Sequence, residues 1–148
     1  MDLKNRVRFD FISVSKNVAF ARVSSAAFAS QLECTLEELE EVKLVVSEAV
    51  SNSIIHGYNN REDGTITVEI QLLHNNTIEI AIEDKGCGIE DVEQALQPSF
   101  SSATDRAGLG FAFMQSFMDE LEVTSEKGKG TKVRMRKAFV PGEAEYGS

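Results

Sequence analysis

Charged or polar residues alternate with apolar residues along several short stretches of the chain. In RVRFDFI (6–12) the apolar side chains can face a core while the charged ones face water. TITVEIQLL (65–73) and TIEIAIE (77–83) alternate in the same way, and HNN between them is typical of a hairpin turn. LEVTSE (121–126) and TKVRMRK (131–137) form a further predicted hairpin around KGKG. The pattern therefore predicts five strands, each with one wet face.

Two amphipathic helices are predicted between the first and second strands. Ser15 is predicted as the N-cap of the first helix, KNVAFARVSSAAFASQL. The second helix begins at TLEE, where Thr35 and Glu38 have capping-box spacing. It can end at Gly57, because glycine suits the left-handed position that follows many helices.

The segment after the third strand predicts two further helices and a loop. A short acidic helical piece ends near Pro98, and LGFAFMQSFM (109–118) is a longer helix. Between them, SFSSATDRAG (99–108) is small, polar and aperiodic, which indicates a mobile loop. Hairpin strands with helices gathered in blocks predict an α+β fold. We expect a two-layer sandwich, in which helices cover one face of a mixed, mostly antiparallel sheet.

The length and charge of the chain limit what it can be. Its 148 residues suit a single domain, 1–148, with a core over about 6–138 and a flexible tail at 139–148. A net charge of −9 argues against nucleic acid as a direct partner. Apolar runs are too short for a membrane span, and MDLKNRVRFD lacks the features of a signal peptide. Cys34 and Cys87 make no CxxC pair, so we expect a reducing cytoplasm.

Three polar residues recur at every fourth position of the second predicted helix: Glu48, Asn52 and His56. They share one helix face beside apolar neighbours. An amide oxygen suits Mg²⁺ among oxygen ligands, whereas the absence of HExxH argues against zinc. Taken alone, the three residues are more simply explained as a polar helix edge, because any long helix contains such triples.

Three glycine-containing motifs follow along the chain. EDKGCGI (83–89) places Asp84 at a strand end, before glycines that let backbone come close. RAGLGF (106–111) places two glycines where a polar loop enters a helix, whose exposed N–H groups can bind an anion. KGKGT (127–131) contains two more. Each motif alone is weak evidence, because a turn, a hinge and a hairpin would use the same residues.

The order of these motifs is more informative than any one of them. GxxxxGK[ST] is absent, and so is a GxGxxG after a first strand. The succession from Glu-x-x-x-Asn to Asp-x-Gly-x-Gly, Gly-x-Gly and Gly-Thr resembles the ATP-binding domain shared by gyrase, Hsp90, histidine kinases and MutL. This resemblance covers about residues 6–138. Closer still, FARVSSAAF, VVSEAVSNSIIHGYNN and GLGFAFMQSFMDELEV resemble the anti-sigma F factors of spore-forming bacteria, which are ATP-dependent serine kinases.

The resemblance implies a site for ATP or ADP with Mg²⁺. Asn52 is implied to hold Mg²⁺, and Glu48 to act as the general base or to orient the attacking group. Asp84 is implied to accept a hydrogen bond from the adenine amino group, and Arg106 to stabilise the charge on the transferring phosphate. The loop 99–107 is implied to be the lid over ATP. The other implied nucleotide contacts are His56, Gly86, Gly88, Thr104, Gly108, Gly110 and Thr131.

Within this set the glycines have two implied roles. Gly86 and Gly88 would make room for the adenine base. Gly108 and Gly110 would turn backbone N–H groups toward the phosphates.

The resemblance also implies partners. The protein would bind and inhibit a sporulation sigma factor and phosphorylate a serine of an anti-anti-sigma protein. Arg22 on the first helix is implied to contact a partner, and a homodimer is implied, for which the apolar first strand and first helix could supply the interface. Two alternatives stay open: an anti-sigma kinase of a general stress-response sigma factor, and a non-catalytic, ATP-gated binding module.

Overall fold

The structure is a computed structural model that describes residues 2–96 and 111–140. The described part contains five strands, four α-helices and one π-helical turn. The strands are β1 (Leu3–Ile12), β2 (Thr65–Leu73), β3 (Thr77–Asp84), β4 (Glu120–Glu126) and β5 (Gly130–Ala138). The helices are α1 (Asn17–Ala29), α2 (Leu36–Asn52), α3 (Val92–Ala95) and α4 (Phe111–Phe117), and the π-helical turn is Ser53–Gly57.

The strands form one sheet in the order β1-β2-β3-β5-β4, and all four described pairings are antiparallel. The α+β prediction is confirmed, as are the two predicted hairpins. In the β2–β3 turn, Asn75 and Asn76 have φ of 74° and 57°, the left-handed values that a tight hairpin requires. At the other end of β3, Asp84 pairs with Ile66 on one side and Thr131 on the other.

One sheet face is apolar and lies under the helices. The apolar side of α2 packs there and contributes fully buried valines, Val42, Val45, Val46 and Val50. The other face is charged and wet. There Arg136 pairs with Glu79 (Nη2 to Oε1, 2.6 Å), and Arg134 pairs with Glu122 across β4 and β5. In KVRMRK the apolar side chains of Val133 and Met135 are buried, whereas the arginines between and after them lie on the charged face. The alternation of this segment therefore reflects a strand with one buried and one solvated face.

The two long helices differ at their N-termini. At α2 the predicted capping box is confirmed: Thr35 Oγ1 accepts the Glu38 N–H at 2.9 Å, and Glu38 Oε1 accepts the Thr35 N–H at 3.0 Å. At α1 the prediction that Ser15 caps the helix was wrong. Lys16 occupies the cap position already in helical conformation, with no side-chain cap. A backbone turn, in which the Ser15 carbonyl accepts the Val18 N–H, leads into α1 instead.

The end of α2 also differs from the prediction. Gly57 is not a left-handed cap, because α2 passes directly into the π-helical turn and the positive φ values fall on Asn59 (54°) and Asn60 (66°). Gly57 instead lies close to Asp84. A Cβ there would lie 3.1 Å from the carboxylate of Asp84, closer than most such contacts, so a larger residue would push that carboxylate aside by a few tenths of an ångström.

The remaining predicted segments relate to the described residues as follows. Phe139 is buried and extends the core by one residue beyond the predicted limit. The loop 99–107, Pro98 and residues 141–148 of the predicted tail lie outside the described residues. Within 2–96 and 111–140, no helix has the length and apolar character that a membrane crossing requires.

Candidate functional site

A solvent-open cleft lies at the sheet end where α2 passes into the π-helical turn. Five residues predicted from sequence line it together: Asn52, His56, Asp84, Gly88 and Thr131. Its other lining residues are Ala49, Ser53, Gly57, Ile89, Phe111 and Val133. A cleft with mostly apolar walls and a few polar groups is the usual form of a small-molecule site.

Asp84 is the buried charge of this cleft, with only 4% of its surface exposed. Burial raises the pKa of its carboxyl above the ordinary value, because a carboxylate loses its hydration there. Hydrogen bonds from the Gly86 N–H (2.9 Å to Oδ1), the Ser53 hydroxyl and the Thr131 backbone oppose that rise. Because the pKa is raised overall, these donors do not fully compensate for the lost hydration of the carboxylate. A hydrogen bond from a ligand N–H would stabilise the carboxylate further.

Glycines allow three chain segments to meet around Asp84: the π-helical turn, the stretch after β3 and the β4–β5 hairpin. A Cβ at Gly86 would lie 2.2 Å from the Gly57 carbonyl oxygen, and one at Gly130 would lie 2.2 Å from the Asp84 carbonyl oxygen. At Gly88, with φ of 79°, a Cβ would lie 2.1 Å from the Glu126 carbonyl oxygen. The missing side chain of Gly86 makes room for the protein's own backbone, and its implied role beside the adenine base stays a prediction. Gly88 makes room for backbone in the same way and also lines the cleft.

The helical side of the cleft carries the polar file predicted from sequence. Asn52 is the last residue of α2, and His56 lies in the π-helical turn; both are half-buried and line the cleft. Glu48 lies one helical turn before Asn52, is half-buried, and is not among the lining residues. π-Helical turns are rare and frequently occur at functional sites.

The chemistry of the cleft fits an adenine nucleotide. Ala49, Ile89 and Val133 give apolar walls for a flat base, and the buried carboxylate of Asp84 can accept from an exocyclic amino group. The Asn52 amide oxygen is a hard donor that suits Mg²⁺ together with phosphate oxygens and waters. Within the described ranges no group of three His, Cys, Asp or Glu side chains could hold a metal by itself. A metal ion bound at Asn52 would therefore need further oxygen ligands from the nucleotide phosphates and from water.

Sequence reasoning missed several cleft residues. Ser53 donates to Asp84, and the sequence signal was weak: a small polar residue one turn after Ala49 on the buried face of a helix. Ile89, Phe111 and Val133 gave no signal, because an apolar residue that lines a cleft looks like any core residue.

The remaining predicted site residues do not belong to the described cleft. Arg22 is exposed on α1 and is not among the lining residues. Thr104, Arg106, Gly108 and Gly110 lie outside the described residues.

Comparison with known proteins agrees with this geometry. Residues 13–137 match the family described as the histidine kinase-like ATPase domain. The chain is 53% identical over 137 residues to an anti-sigma F factor of Clostridium beijerinckii, covering 91% of this chain and 95% of the relative. It is 50% identical over 138 residues to the anti-sigma F factor of Clostridium botulinum strain Eklund 17B, covering 92% and 96%.

Two solved structures share the fold. One is the histidine kinase domain of the blue-light activated histidine kinase EL346 of Erythrobacter litoralis, with a TM-score of 0.57 at 17% identity. It covers 84% of this chain and 60% of that one. The other is the catalytic domain of histidine kinase ThkA, with a TM-score of 0.58 at 13% identity, covering 93% and 98%. At such identities the likeness concerns the fold alone.

Proposed function

The chain belongs to the histidine kinase-like ATPase family, among the anti-sigma F factors, and from that premise we propose that it is an ATP-dependent protein serine kinase that inhibits a sporulation sigma factor. Its substrate would be a serine of an anti-anti-sigma protein. The observation that carries the nucleotide site is Asp84, a buried carboxylate that lines an apolar cleft and whose pKa burial raises.

Four polar residues of the cleft have roles in this proposal. Asp84 accepts from the adenine amino group, and the side chain of Thr131 lies near the base. Asn52 would hold Mg²⁺, which would supply charge neutralisation at the nucleotide phosphates. His56 lies near the same phosphates. Their convergence in one cleft supports these assignments.

Glu48 acts on the acceptor rather than on the nucleotide. As general base it takes the proton of the serine hydroxyl, whose oxygen attacks the γ-phosphorus as ADP leaves. Its place one helical turn from Asn52, outside the cleft wall, supports a role toward an incoming protein substrate. Four residues outside the described part, Thr104, Arg106, Gly108 and Gly110, are proposed to contact the phosphates.

The proposed homodimer would use an apolar surface on β1 and α1. Ile12, Phe20 and Val23 are 56%, 55% and 58% exposed, and the Phe20 ring packs edge-on against Phe9 at 5.6 Å. Such a patch on an edge strand and its neighbouring helix favours a second copy of the chain. Arg22 is exposed on the same helix and is proposed to contact a partner protein.

Phosphate transfer to the serine partner tests the enzyme proposal. Glu48→Gln should bind ATP normally and transfer phosphate at least about 100-fold more slowly, because the amide cannot accept the proton. Glu40→Gln is the control, since Glu40 is exposed on the same helix and pairs with Lys43 at the surface. Normal transfer by Glu48→Gln would remove Glu48 as the base. ATP binding without any transfer by the wild-type protein would favour the ATP-gated binding module.

Sedimentation tests the dimer. Phe20→Glu should shift the protein to a monomer. Phe113→Glu changes a phenylalanine on α4 that is 49% exposed, and it should leave the dimer intact. A monomeric wild-type protein, or equal effects of the two variants, would contradict this interface.

A further inference from the structure

The hydroxyl of Tyr58 lies between the two strands that lead into the cleft. The residue is 3% exposed and follows the π-helical turn directly. Its Oη donates to the Thr65 carbonyl at 2.6 Å and accepts the Lys85 N–H at 2.7 Å. The ring fits because residue 64 is glycine: a Cβ there would lie 2.6 Å from the ring carbons.

These two bonds end the pairing of β2 with β3. The described register ends with Ile66 opposite Asp84, and one further step would bring Thr65 opposite Lys85. The hydroxyl bridges an N–H and a C=O of that next pair, so a side chain stands where an antiparallel ladder would otherwise continue. The hydroxyl therefore acts as a wedge between the two strands immediately after Asp84.

Past the wedge, β3 turns toward the end of the helix. The Gly86 N–H donates to Asp84 Oδ1, and the Cys87 N–H donates to the Gly57 carbonyl at 2.8 Å. The Tyr58 hydroxyl holds Lys85, and the carbonyl of the preceding residue, Gly57, holds Cys87, so these two neighbours together hold the turn on both sides of Gly86. The direction in which Asp84 presents its carboxylate depends on that turn.

We propose that Tyr58 is a positioning residue for the adenine contact: its hydroxyl sets the Asp84–Gly86 turn and thereby the selection of adenine over guanine nucleotides. The inference rests on the proposed ATP site and adds to it a residue that no motif assigns. Tyr58 is not among the residues that line the cleft, so it acts through the turn.

Ser13 offers a matched control. It is fully buried, and its hydroxyl donates to the Arg61 carbonyl at 2.7 Å and accepts the Gly64 N–H at 3.0 Å. Like Tyr58 it uses one donated and one accepted bond to fix the segment before β2. Both of these hydrogen-bond partners of Ser13 lie in that segment, whereas one partner of Tyr58 is Lys85.

The first test measures dissociation constants for ATP and GTP, at a temperature well below the melting point of each variant. Tyr58→Phe should weaken ATP binding by about five- to tenfold, with a smaller ratio between ATP and GTP. Ser13→Ala should lower the melting temperature but change both constants by less than about twofold. Wild-type ATP affinity in Tyr58→Phe, or an equal loss in Ser13→Ala, would overturn the role of Tyr58. A wild-type protein that does not bind ATP would instead overturn the proposed function.

The second test needs no nucleotide, and its wild-type measurement alone can contradict the proposal. In the wild-type protein the Lys85 amide should exchange with deuterated solvent far more slowly than an exposed amide, because its N–H is donated to a buried hydroxyl. Tyr58→Phe should remove that protection and Ser13→Ala should keep it. Rapid exchange of the Lys85 amide in the wild-type protein would overturn the proposal by itself.

Discussion

At one end of the sheet the side chain of Asn76 joins three segments of the chain, and at the other end Asp84 does the same. Asn76 Oδ1 accepts the Glu33 N–H at 3.0 Å, while Nδ2 donates to the carbonyls of Glu33 (2.7 Å) and Phe139 (3.1 Å). The amide oxygen and both amide hydrogens are therefore used. Burying such a neutral, satisfied group costs little, and this end serves stability.

Asp84 takes part in as many hydrogen bonds, here as the acceptor of all three, yet burial opposes its charge. Burial outweighs the hydrogen bonds from Gly86, Ser53 and Thr131, so the pKa of the carboxyl is raised. A buried carboxylate with a raised pKa lowers the stability of the fold, but it is well suited to binding a ligand that donates a hydrogen bond. The difference between the two ends separates residues that hold the fold from residues that serve the site.

The largest expected effect comes from Asp84→Asn. The apo protein should be as stable as the wild type or more stable, since the variant removes a buried charge. ATP affinity should fall by about 10- to 100-fold, because a charged acceptor is lost. Calorimetric titration measures the affinity, and Glu83→Gln is the neighbouring control on the charged sheet face. Undiminished ATP binding by Asp84→Asn would show that Asp84 does not serve the nucleotide site, and the contrast between the two ends of the sheet would not hold.

Asn76→Gly should have the opposite profile. Glycine keeps the φ of 57° but loses three hydrogen bonds, so the free energy of unfolding should fall by about 2–3 kcal/mol. Asn75→Gly makes the same exchange at an exposed neighbour with φ of 74° and should cost less than about 0.5 kcal/mol. Chemical denaturation measures both variants. A lowered intrinsic ATP affinity in Asn76→Gly, measured on folded protein, would show that the two ends are not separate.

The smallest expected effect is in the pH dependence of stability. Because the pKa of Asp84 is higher in the folded protein than in the unfolded chain, its ionisation penalises folding fully above the folded-state pKa. That penalty disappears as pH falls through the folded-state pKa toward the unfolded value. Any stability advantage of Asp84→Asn over the wild type should therefore shrink on acidification. Thermal melts of both proteins between pH 7 and 4 measure it, and an advantage that grows as pH falls would contradict the sign.

Local rules predicted much of this fold. Alternation located the strands, and the Thr35–Glu38 capping box depends only on residues three apart. Ser15 was misjudged because the backbone turn before α1 decides where that helix begins. The role of Gly57 could not be predicted, since it depends on Asp84, which is distant in sequence.

The site was also predicted only in part, because the sequence shows local spacing but not the contacts between distant segments. The spacing of Asn52 and His56 and the motif at Asp84 are visible in the sequence, and the structure brings them into one cleft. The hydroxyl of Tyr58 and the amide of Asn76 carry no local pattern. Their roles arise from contacts between segments that meet only in the folded chain, so the sequence showed them as an ordinary aromatic residue and an ordinary turn residue.

The central claim is that the Asp84 end is an adenine nucleotide site, and thermal stability with and without nucleotide tests it most directly. With Mg²⁺ and ATP at about 100 times the dissociation constant, binding should add about 2.7 kcal/mol of stability and raise the melting temperature by several degrees. GTP at the same concentration should raise it much less. An unchanged melting temperature at millimolar ATP with Mg²⁺ would contradict the account.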